Sequence, residues 1–230
     1  MVLINGTNVK FLINSVNARG FNKSALTRLV SSLRSQISSD DIVVVMGNSD
    51  TEGVSSETDY TLVKVRHNSI DMTALIGVLD NQSNLGTLPD SWFYLHDTCD
   101  VGPNFLSSLQ SKDLSNDVRV HWSVSNLGVY TNNSLLSNSA LIQSYKSSDN
   151  PAWPELRERK YTAICDNNIV YRVNKNTSNL ATDVPEEISQ SRVYGVLRKT
   201  LYFNELDLYK NWSNFIWGRR LDPPRFNLHA

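Results

Sequence analysis

In the run "DIVVVMG", residues 41–47, a continuous apolar segment lies between an aspartate and a glycine. Its β-branched residues occupy consecutive positions, so both faces of a strand formed here are apolar. A strand with one face in water would instead alternate apolar and polar residues. The run therefore predicts a strand in a sheet that is covered by helices on both sides.

Alternating strand and helix patterns surround this run. Upstream, "VKFLINSV" (9–16) predicts a strand, and "SALTRLVSSLRSQI" (24–37) has an apolar stripe at helical spacing. Downstream, "YTLVKV" (60–65) and "WFYL" (92–95) predict strands, and between them Asp71 is a candidate N-cap of a second helix. This alternation predicts an α/β fold with an open, mostly parallel mixed sheet flanked by helices.

The second half of the chain is less regular. "VRVHWSV" (118–124) predicts a strand, and "LGVYTNNSLL" (127–136) predicts a strand or a turn into a helix. A helix is predicted over 154–173, and the polar stretch 174–190 is typical of a loop. Without an internal repeat or a linker, we expect one domain over 1–230, with a nucleotide-binding half (1–110) and an acceptor half with a C-terminal extension (111–230).

Composition excludes several classes of protein. The 230 residues are 40% hydrophobic and 20% charged, with a net charge of −1, so no broad footprint for nucleic acid is expected. No run approaches the roughly 20 apolar residues of a membrane span, and the start lacks the pattern of a signal peptide. The two cysteines are far apart in sequence, which argues against a disulfide framework. We expect a cytoplasmic protein with no membrane span.

Polar residues stand at the ends of the predicted strands of the first half. In open α/β sheets, ligands bind at the carboxyl ends of the strands. Because parallel strands end at one edge, we expect these side chains to converge there. They are Ser15, Asn17, Arg19, Asn48, Asp50, Asn68, Asp71, His96, Asp97 and Asp100.

Three common motifs are missing from this sheet pattern. No GxGxxG follows the first strand, which argues against a dinucleotide-binding domain, and no GxxxxGK[ST] phosphate loop occurs. The GxSxG motif of α/β-hydrolases is also absent. The chemistry must therefore be sought at the polar strand ends.

The end of the fourth predicted strand, "WFYLHDTCDVGPNF" (92–105), carries two carboxylates three residues apart. Asp97 and Asp100 can hold a hard divalent cation together with a phosphate ligand and waters. The alternative is structural: Asp97 orders the turn, and Asp100 caps the helix that begins near Pro103. The spacing alone favours neither.

The layout resembles glycosyltransferases of the GT-A fold. Small viral and bacterial proteins of that type are also similar to two segments of this chain, "HDTCDVGPNF" and "RVYGVLRKTLYFNELDLYKNWSN". In that family a DxD-type triplet follows a hydrophobic strand and binds a metal and the nucleotide-sugar diphosphate. Here "WFYL" matches the strand, and "HDT" (96–98) falls where the triplet would be. The likeness covers about residues 8–215 and departs from the family where His96 and Thr98 replace the outer aspartates.

The resemblance implies a site and a reaction. Mn²⁺ or Mg²⁺ would be held at Asp97 and Asp100, and three alternatives remain open: Asp97 alone, Asp100 in place of a missing aspartate, or a nitrogen from His96. The strand ends from Ser15 to Asp71 would surround the base and ribose of a UDP- or GDP-linked sugar. The Asn and Asp residues there are equally good turn residues. A metal-free alternative clamps the diphosphate with basic residues. These are Arg198, Lys199, Lys210, Arg219 and Arg220.

Transfer to an acceptor hydroxyl, of a glycan or another molecule, needs a general base. The same resemblance implies that the general base is a carboxylate of the second half, with Asp166 as the first candidate and Glu155 as the next. The presence of these two acidic residues is equally well explained by a helix face exposed to solvent. Trp122, Tyr130 and Trp153 can stack on sugars, although aromatic residues are more often core. The predicted function is glycosyl transfer. The alternatives are a catalytically degenerate nucleotide- or sugar-binding module of the same fold and, less favoured, a two-metal nucleotidyltransferase.

Overall fold

The computed structural model describes residues 1–17, 23–124, 127–152, 154–155, 178–193 and 196–214. The strands are β1 (Val2–Ile4), β2 (Thr7–Val16), β3 (Ile42–Gly47), β4 (Gly53–Ser56), β5 (Thr61–Lys64), β6 (Ser91–His96), β7 (Cys99–Val101), β8 (Val118–Arg119), β9 (Gly128–Thr131), β10 (Glu186–Val193), β11 (Val196–Phe203) and β12 (Leu208–Asn214). The helices are α1 (Lys23–Arg34), α2 (Thr73–Asp80), α3 (Phe105–Leu109), α4 (Asn132–Ser137) and α5 (Ser139–Gln143).

The central sheet has the strand order β4-β5-β3-β2-β6-β9-β8, and β1 pairs with β2. The pairs β2–β3, β2–β6 and β3–β5 are parallel, whereas β4, β9 and β1 run antiparallel to their neighbours. The predicted class is therefore confirmed: the fold is α/β with a mixed, mostly parallel central sheet flanked by helices. β9, from the second half of the chain, pairs with β6 of the first.

β3 shows why the apolar run at its centre predicts a sheet covered on both sides. Ile42 and Val44 pack in the core that contains the apolar face of α1. Val43 and Val45 point the other way, into the core formed with α2. Gly77 of α2 lies so close to the sheet that an added Cβ would stand 2.5 Å from a methyl of Val45. The alternation of strand side chains thus divides one apolar run between two cores.

A second sheet, β10-β11-β12-β7, is antiparallel throughout. β7 follows directly after β6, so this sheet adjoins the central sheet where β6 ends. Phe203 and Leu208 from it share a core with Phe11, Phe93 and Phe105. Burying side chains of this size contributes about 1.5 to 3 kcal/mol each. That shared core joins the second sheet to the side of the central sheet that α1 covers.

Several predictions for the second half need correction. The strand predicted over 118–124 is only Val118–Arg119, followed by a 3-10 turn at Trp122–Val124. The strand and helix predicted over 127–136 are confirmed as β9 and α4. The loop predicted to reach residue 190 already contains β10 from Glu186, because this polar strand is exposed and lacks apolar alternation. Pro154 and Glu155 are helical, and the rest of the helix predicted over 154–173 lies outside the described residues.

Asp71 is not the cap residue of α2. It lies in a 3-10 turn at Ile70–Met72, and α2 begins at Thr73, with no side-chain hydrogen bond from the residue at the cap position. Within the described part of the chain, no helix has the length and apolarity needed to cross a membrane.

Candidate functional site

The strand order creates a switch point between β2 and β6. From β2 the chain moves to β3 on one side, and later it adds β6 on the other side. The connections that leave two such neighbouring strands diverge, and the crevice at their carboxyl ends is the usual ligand site of an open α/β sheet. Here that edge carries Ser15 on β2 and Asp97 directly after β6.

Ser15 and Asp97 are joined across the switch point. The Ser15 hydroxyl donates to Asp97 Oδ2 at 2.8 Å, and the Asp97 amide donates to the carbonyl of Asn14 at 3.1 Å. Asp97 is 8% exposed, and a buried carboxylate is costly unless donors surround it. The serine hydroxyl supplies one of these donors and fixes the position of the carboxylate at this edge.

His96 and Asp71 form the adjacent part of the site. His96 Nε2 lies 3.5 Å from Asp71 Oδ1, and the Tyr94 hydroxyl donates to the Asp71 carbonyl at 2.6 Å. Burial, and secondarily the positive charge of Lys210, hold the pKa of His96 well below its usual value. The imidazole is therefore neutral near pH 7, and its contact with Asp71 is not an ion pair.

The turn that presents Asp71 is strained. Ile70 has φ of +56°, a left-handed conformation that β-branched residues rarely adopt. Two side chains hold it: Asn68 Oδ1 accepts from the Ile70 amide at 3.1 Å, and Asn14 Nδ2 donates to the Ile70 carbonyl at 3.0 Å. Strain of about 1 to 3 kcal/mol, maintained by surrounding bonds, is characteristic of functional sites.

Asn14 is a site residue that the sequence analysis missed. Besides holding Ile70, its Oδ1 accepts from the amide of Ala74 at 3.0 Å, so a residue of β2 caps α2 from the neighbouring element. An asparagine within an apolar strand was the available signal, because a buried amide needs partners for its donors and its acceptor.

The remaining predicted residues of the first half bond to backbone groups or lie apart. Asn48, with φ of +57°, donates from Nδ2 to the Asn17 carbonyl at 3.3 Å and from its amide to the His67 carbonyl at 3.0 Å. These contacts are those of turn residues, and a role in reading a nucleotide base stays a prediction. Asp50 is exposed after β3, and Arg19 lies outside the described residues.

Asp100 has different partners from Asp97. It belongs to β7, opposite Tyr209, and its Oδ2 lies 3.0 Å from Arg28 Nε. Its other oxygen accepts from the Val101 amide at 3.0 Å. It lines a cavity of about 330 Å³ between α1 and the second sheet.

Metal ligation by Asp97 and Asp100 stays a prediction. In the part of the chain that the structure describes, no three His, Cys, Asp or Glu side chains are grouped so as to hold a metal ion. Asp97 and Asp100 therefore have no third His, Cys, Asp or Glu ligand among those residues.

Lys210 enters the site from the second sheet. It pairs with Cys99 in the register of β12 and β7, its ammonium hydrogen-bonds to the Thr98 hydroxyl, and it is 6% exposed. The Asn211 amide donates to the Thr98 carbonyl at 3.0 Å, which fixes the turn after β6. Of the other basic candidates, Lys199 pairs with Glu187. The side chains of Arg198, Arg219 and Arg220 lie outside the description.

Glu155 is attached to the rim through a neighbouring loop. Its carboxylate accepts from the amide of Ser148 at 2.8 Å, and the adjacent Ser147 bonds to Ser69 Oγ through its amide at 2.9 Å. This places Glu155 beside the loop that packs against the strained turn. Asp166, the first candidate for the base, lies outside the described residues, so both base assignments stay predictions.

The aromatic candidates for sugar stacking differ in their exposure to solvent. Tyr130 is fully buried in the core, whereas Trp122 is 64% exposed and Trp153 lies outside the described residues. Because Arg119 of β8 and Tyr94 of β6 both pair with Gly128 of β9, the chain that leaves β8 toward Trp122 starts near the carboxyl end of β6. Trp122 is thus an exposed aromatic surface on the same edge as Asp97.

Comparison with known proteins does not assign the chain to a family. The chain matches no protein-family model and no curated protein. The functional interpretation therefore depends on the geometry at the carboxyl ends of β2 and β6.

Proposed function

We propose that this protein is a glycosyltransferase that moves a sugar from a nucleoside-diphosphate sugar to an acceptor hydroxyl. The observation that carries the proposal is the Ser15–Asp97 hydrogen bond across the switch point between β2 and β6. A buried carboxylate placed at the position where open α/β sheets bind ligands suits recognition of the donor. The resemblance of "HDT" (96–98) to a DxD-type triplet supports the same assignment.

The parts of the ligand can be assigned to parts of the edge. The base and ribose would lie along the ends of β2 and β3, near Asn17 and Asn48, and the diphosphate at the turn after β6, beside the ammonium of Lys210. The acceptor would approach from the side of the exposed Trp122, whose ring offers a stacking surface for a sugar. Transfer forms a bond from the acceptor oxygen to the anomeric carbon, breaks the bond from that carbon to the diphosphate, and passes the hydroxyl proton to a base, for which Asp166 and Glu155 are the candidates.

The direct test is a thermal-shift screen with UDP, GDP and their sugar conjugates, each with Mn²⁺ and with EDTA. A ligand that binds only the folded state stabilises it by about 2.7 kcal/mol at about 100 times its Kd, which corresponds to roughly 5 to 10 °C in Tm for a chain of this size. We expect at least one nucleotide to give such a shift. If none of them shifts the Tm under either condition, the proposal fails.

Asp97→Ala should lose the shift. The matched control is Asp90→Ala, which removes an exposed carboxylate that precedes β6 at its opposite end and accepts from Asn8. This control variant should bind the nucleotide like the wild type. Equal binding by both variants would contradict the location of the site.

A second candidate is a binding module of the same fold without catalysis. It is favoured by the residues on either side of Asp97, because His96 is a neutral imidazole and Thr98 is bonded to Lys210. The two functions differ in one measurement. An enzyme releases nucleoside diphosphate from the bound sugar conjugate with an acceptor panel or with water, whereas a binding module gives the Tm shift without any release.

A further inference from the structure

Lys210 is the cation that the fold buries at the end of β6. Its side chain comes from β12 of the second sheet and reaches the turn at Thr98, and only 6% of the residue is exposed. Burying an ammonium is costly unless it is paired with an anion or has acceptors for its three N–H groups. The position is therefore one at which a negative charge would be strongly stabilised.

The described residues leave that charge without an ion pair. Its hydrogen-bond partner among them is the neutral Thr98 hydroxyl, and no carboxylate of the described part forms a salt bridge with it. By contrast, Lys112, Lys146 and Lys199 each pair with a carboxylate. Lys210 differs from them in being buried and in having no carboxylate partner among the described residues.

The side chains at this turn fit an ammonium better than a hard divalent cation. Such a cation prefers several carboxylate or carbonyl oxygens, but Asp97 is flanked by an imidazole and a hydroxyl, and Asp100 is paired with Arg28. The positive charge of Lys210 also helps to lower the pKa of His96. One fixed positive charge is thus already present where a metal would otherwise be needed.

We propose that Lys210 binds the diphosphate of the nucleotide directly, so that nucleotide binding does not require a divalent cation. This inference rests on the proposed function and names the group that neutralises the diphosphate. Asp97 then accepts from hydroxyl groups of the ligand, so the ammonium and the carboxylate act on different parts of it. The site would be assembled only when β12 pairs with β7, because Lys210 belongs to the second sheet.

The test measures the affinity for UDP and GDP by titration calorimetry in EDTA and in Mn²⁺, for the wild type and Lys210→Met. We expect equal wild-type affinity in the two buffers and a loss of about ten-fold or more in Lys210→Met, the usual effect of losing a charge-assisted hydrogen bond. Lys112→Met is the control, since it removes a lysine that pairs with Glu205 and should leave the affinity unchanged. Methionine has a similar volume and favours burial, and Lys210→Gln is the second variant if Lys210→Met does not fold.

The outcomes separate the two proposals. Binding that requires Mn²⁺ and is equal in the wild type and the Lys210 variants overturns the role of Lys210 but keeps the proposed function. Absence of binding by the wild type in both buffers overturns the proposed function and this inference with it. Metal-independent binding that is lost only in the Lys210 variants supports both.

Discussion

The two ends of β6 both carry carboxylates, but those carboxylates have different partners. At the amino end, Asp90 accepts from the amide and the side chain of Asn8, at 2.9 and 3.0 Å, and the fully buried Asp117 accepts from the Thr131 amide at 2.7 Å. At the carboxyl end, Asp97 accepts from the hydroxyl of Ser15, and Asp71 lies beside His96. The hydrogen bond between Lys210 and Thr98 is a third contact at the carboxyl end, and all three contacts join one side chain to another.

The comparison teaches that a polar strand end is not by itself a site. The amino end also has a polar cavity, of about 880 Å³, which Asp90 and Asp117 line together with Asn132. Yet each of these two carboxylates accepts from a main-chain amide, which is a structural role. At the carboxyl end, side chains face one another beside a strained turn and a buried lysine. Such groups can exchange partners with a ligand, and for this reason we place the proposed site at the carboxyl end.

The largest effect is expected for Ser15→Ala at the carboxyl end. Removing a donor to a buried carboxylate should lower the free energy of unfolding by about 2 to 3 kcal/mol and also weaken nucleotide binding. Urea unfolding and titration calorimetry measure the two effects. Ser91→Ala, at a second buried serine, which begins β6 and donates to the Leu114 carbonyl, serves as the control and should not alter binding. If Ser15→Ala changes neither the free energy of unfolding nor the nucleotide affinity, the Ser15–Asp97 bond has neither role.

Asp117→Ala tests the amino end. The variant leaves the Thr131 amide without its acceptor, so we expect a loss of about 1 to 3 kcal/mol in the free energy of unfolding with unchanged nucleotide affinity. Urea unfolding and the nucleotide titration check this. Weakened nucleotide binding in a folded Asp117→Ala protein would show that the two ends are not functionally distinct.

A pH dependence should arise at the carboxyl end. The folded state holds the pKa of His96 well below its ordinary 6.5, mainly through burial. Above pH 6.5 the imidazole is neutral in both the folded and the unfolded state, and this group does not reduce stability. As the pH falls below 6.5, the imidazole is protonated in the unfolded chain but stays neutral in the folded chain. Stability therefore declines at up to about 1.4 kcal/mol per pH unit from this one group.

The check on this prediction compares urea unfolding of the wild type and His96→Gln between pH 7.5 and pH 5 (about one and a half units below the unfolded value). Burial also lowers the pKa of His67 and of His121, so the variant should keep part of the dependence and lose the part due to His96. An unchanged slope in His96→Gln would contradict a buried, neutral imidazole.

The smallest effect is expected for Asp90→Asn. This carboxylate is exposed and its amide replacement still offers an oxygen to Asn8, so the free energy of unfolding should change by less than about 1 kcal/mol and nucleotide affinity should not change. Thermal unfolding with and without UDP measures both. A large loss in either would mean that the amino end contributes more than a structural link.

Sequence patterns predicted the first half well because its signals are local. The apolar run at Ile42–Gly47 and the alternation around it identified the parallel strands, and the strand ends identified Ser15, His96 and Asp97 as edge residues. The second half was predicted less well, since β10 is a polar, exposed strand without apolar alternation. Asn14 was missed because its role as a cap for α2 connects residues that are 60 positions apart.

The sequence by itself determined the α/β class, the covered strand β3 and the polar edge at the end of β6, because side-chain periodicity and burial depend on neighbouring residues. Only the tertiary structure decided which polar side chains meet. Ser15 and Asp97 are 82 positions apart, and Thr98 and Lys210 are 112 apart. Strand order and sheet pairing bring such distant partners together. Burying a charge or a hydroxyl without a partner costs free energy, and this cost favours the fold in which the partners meet.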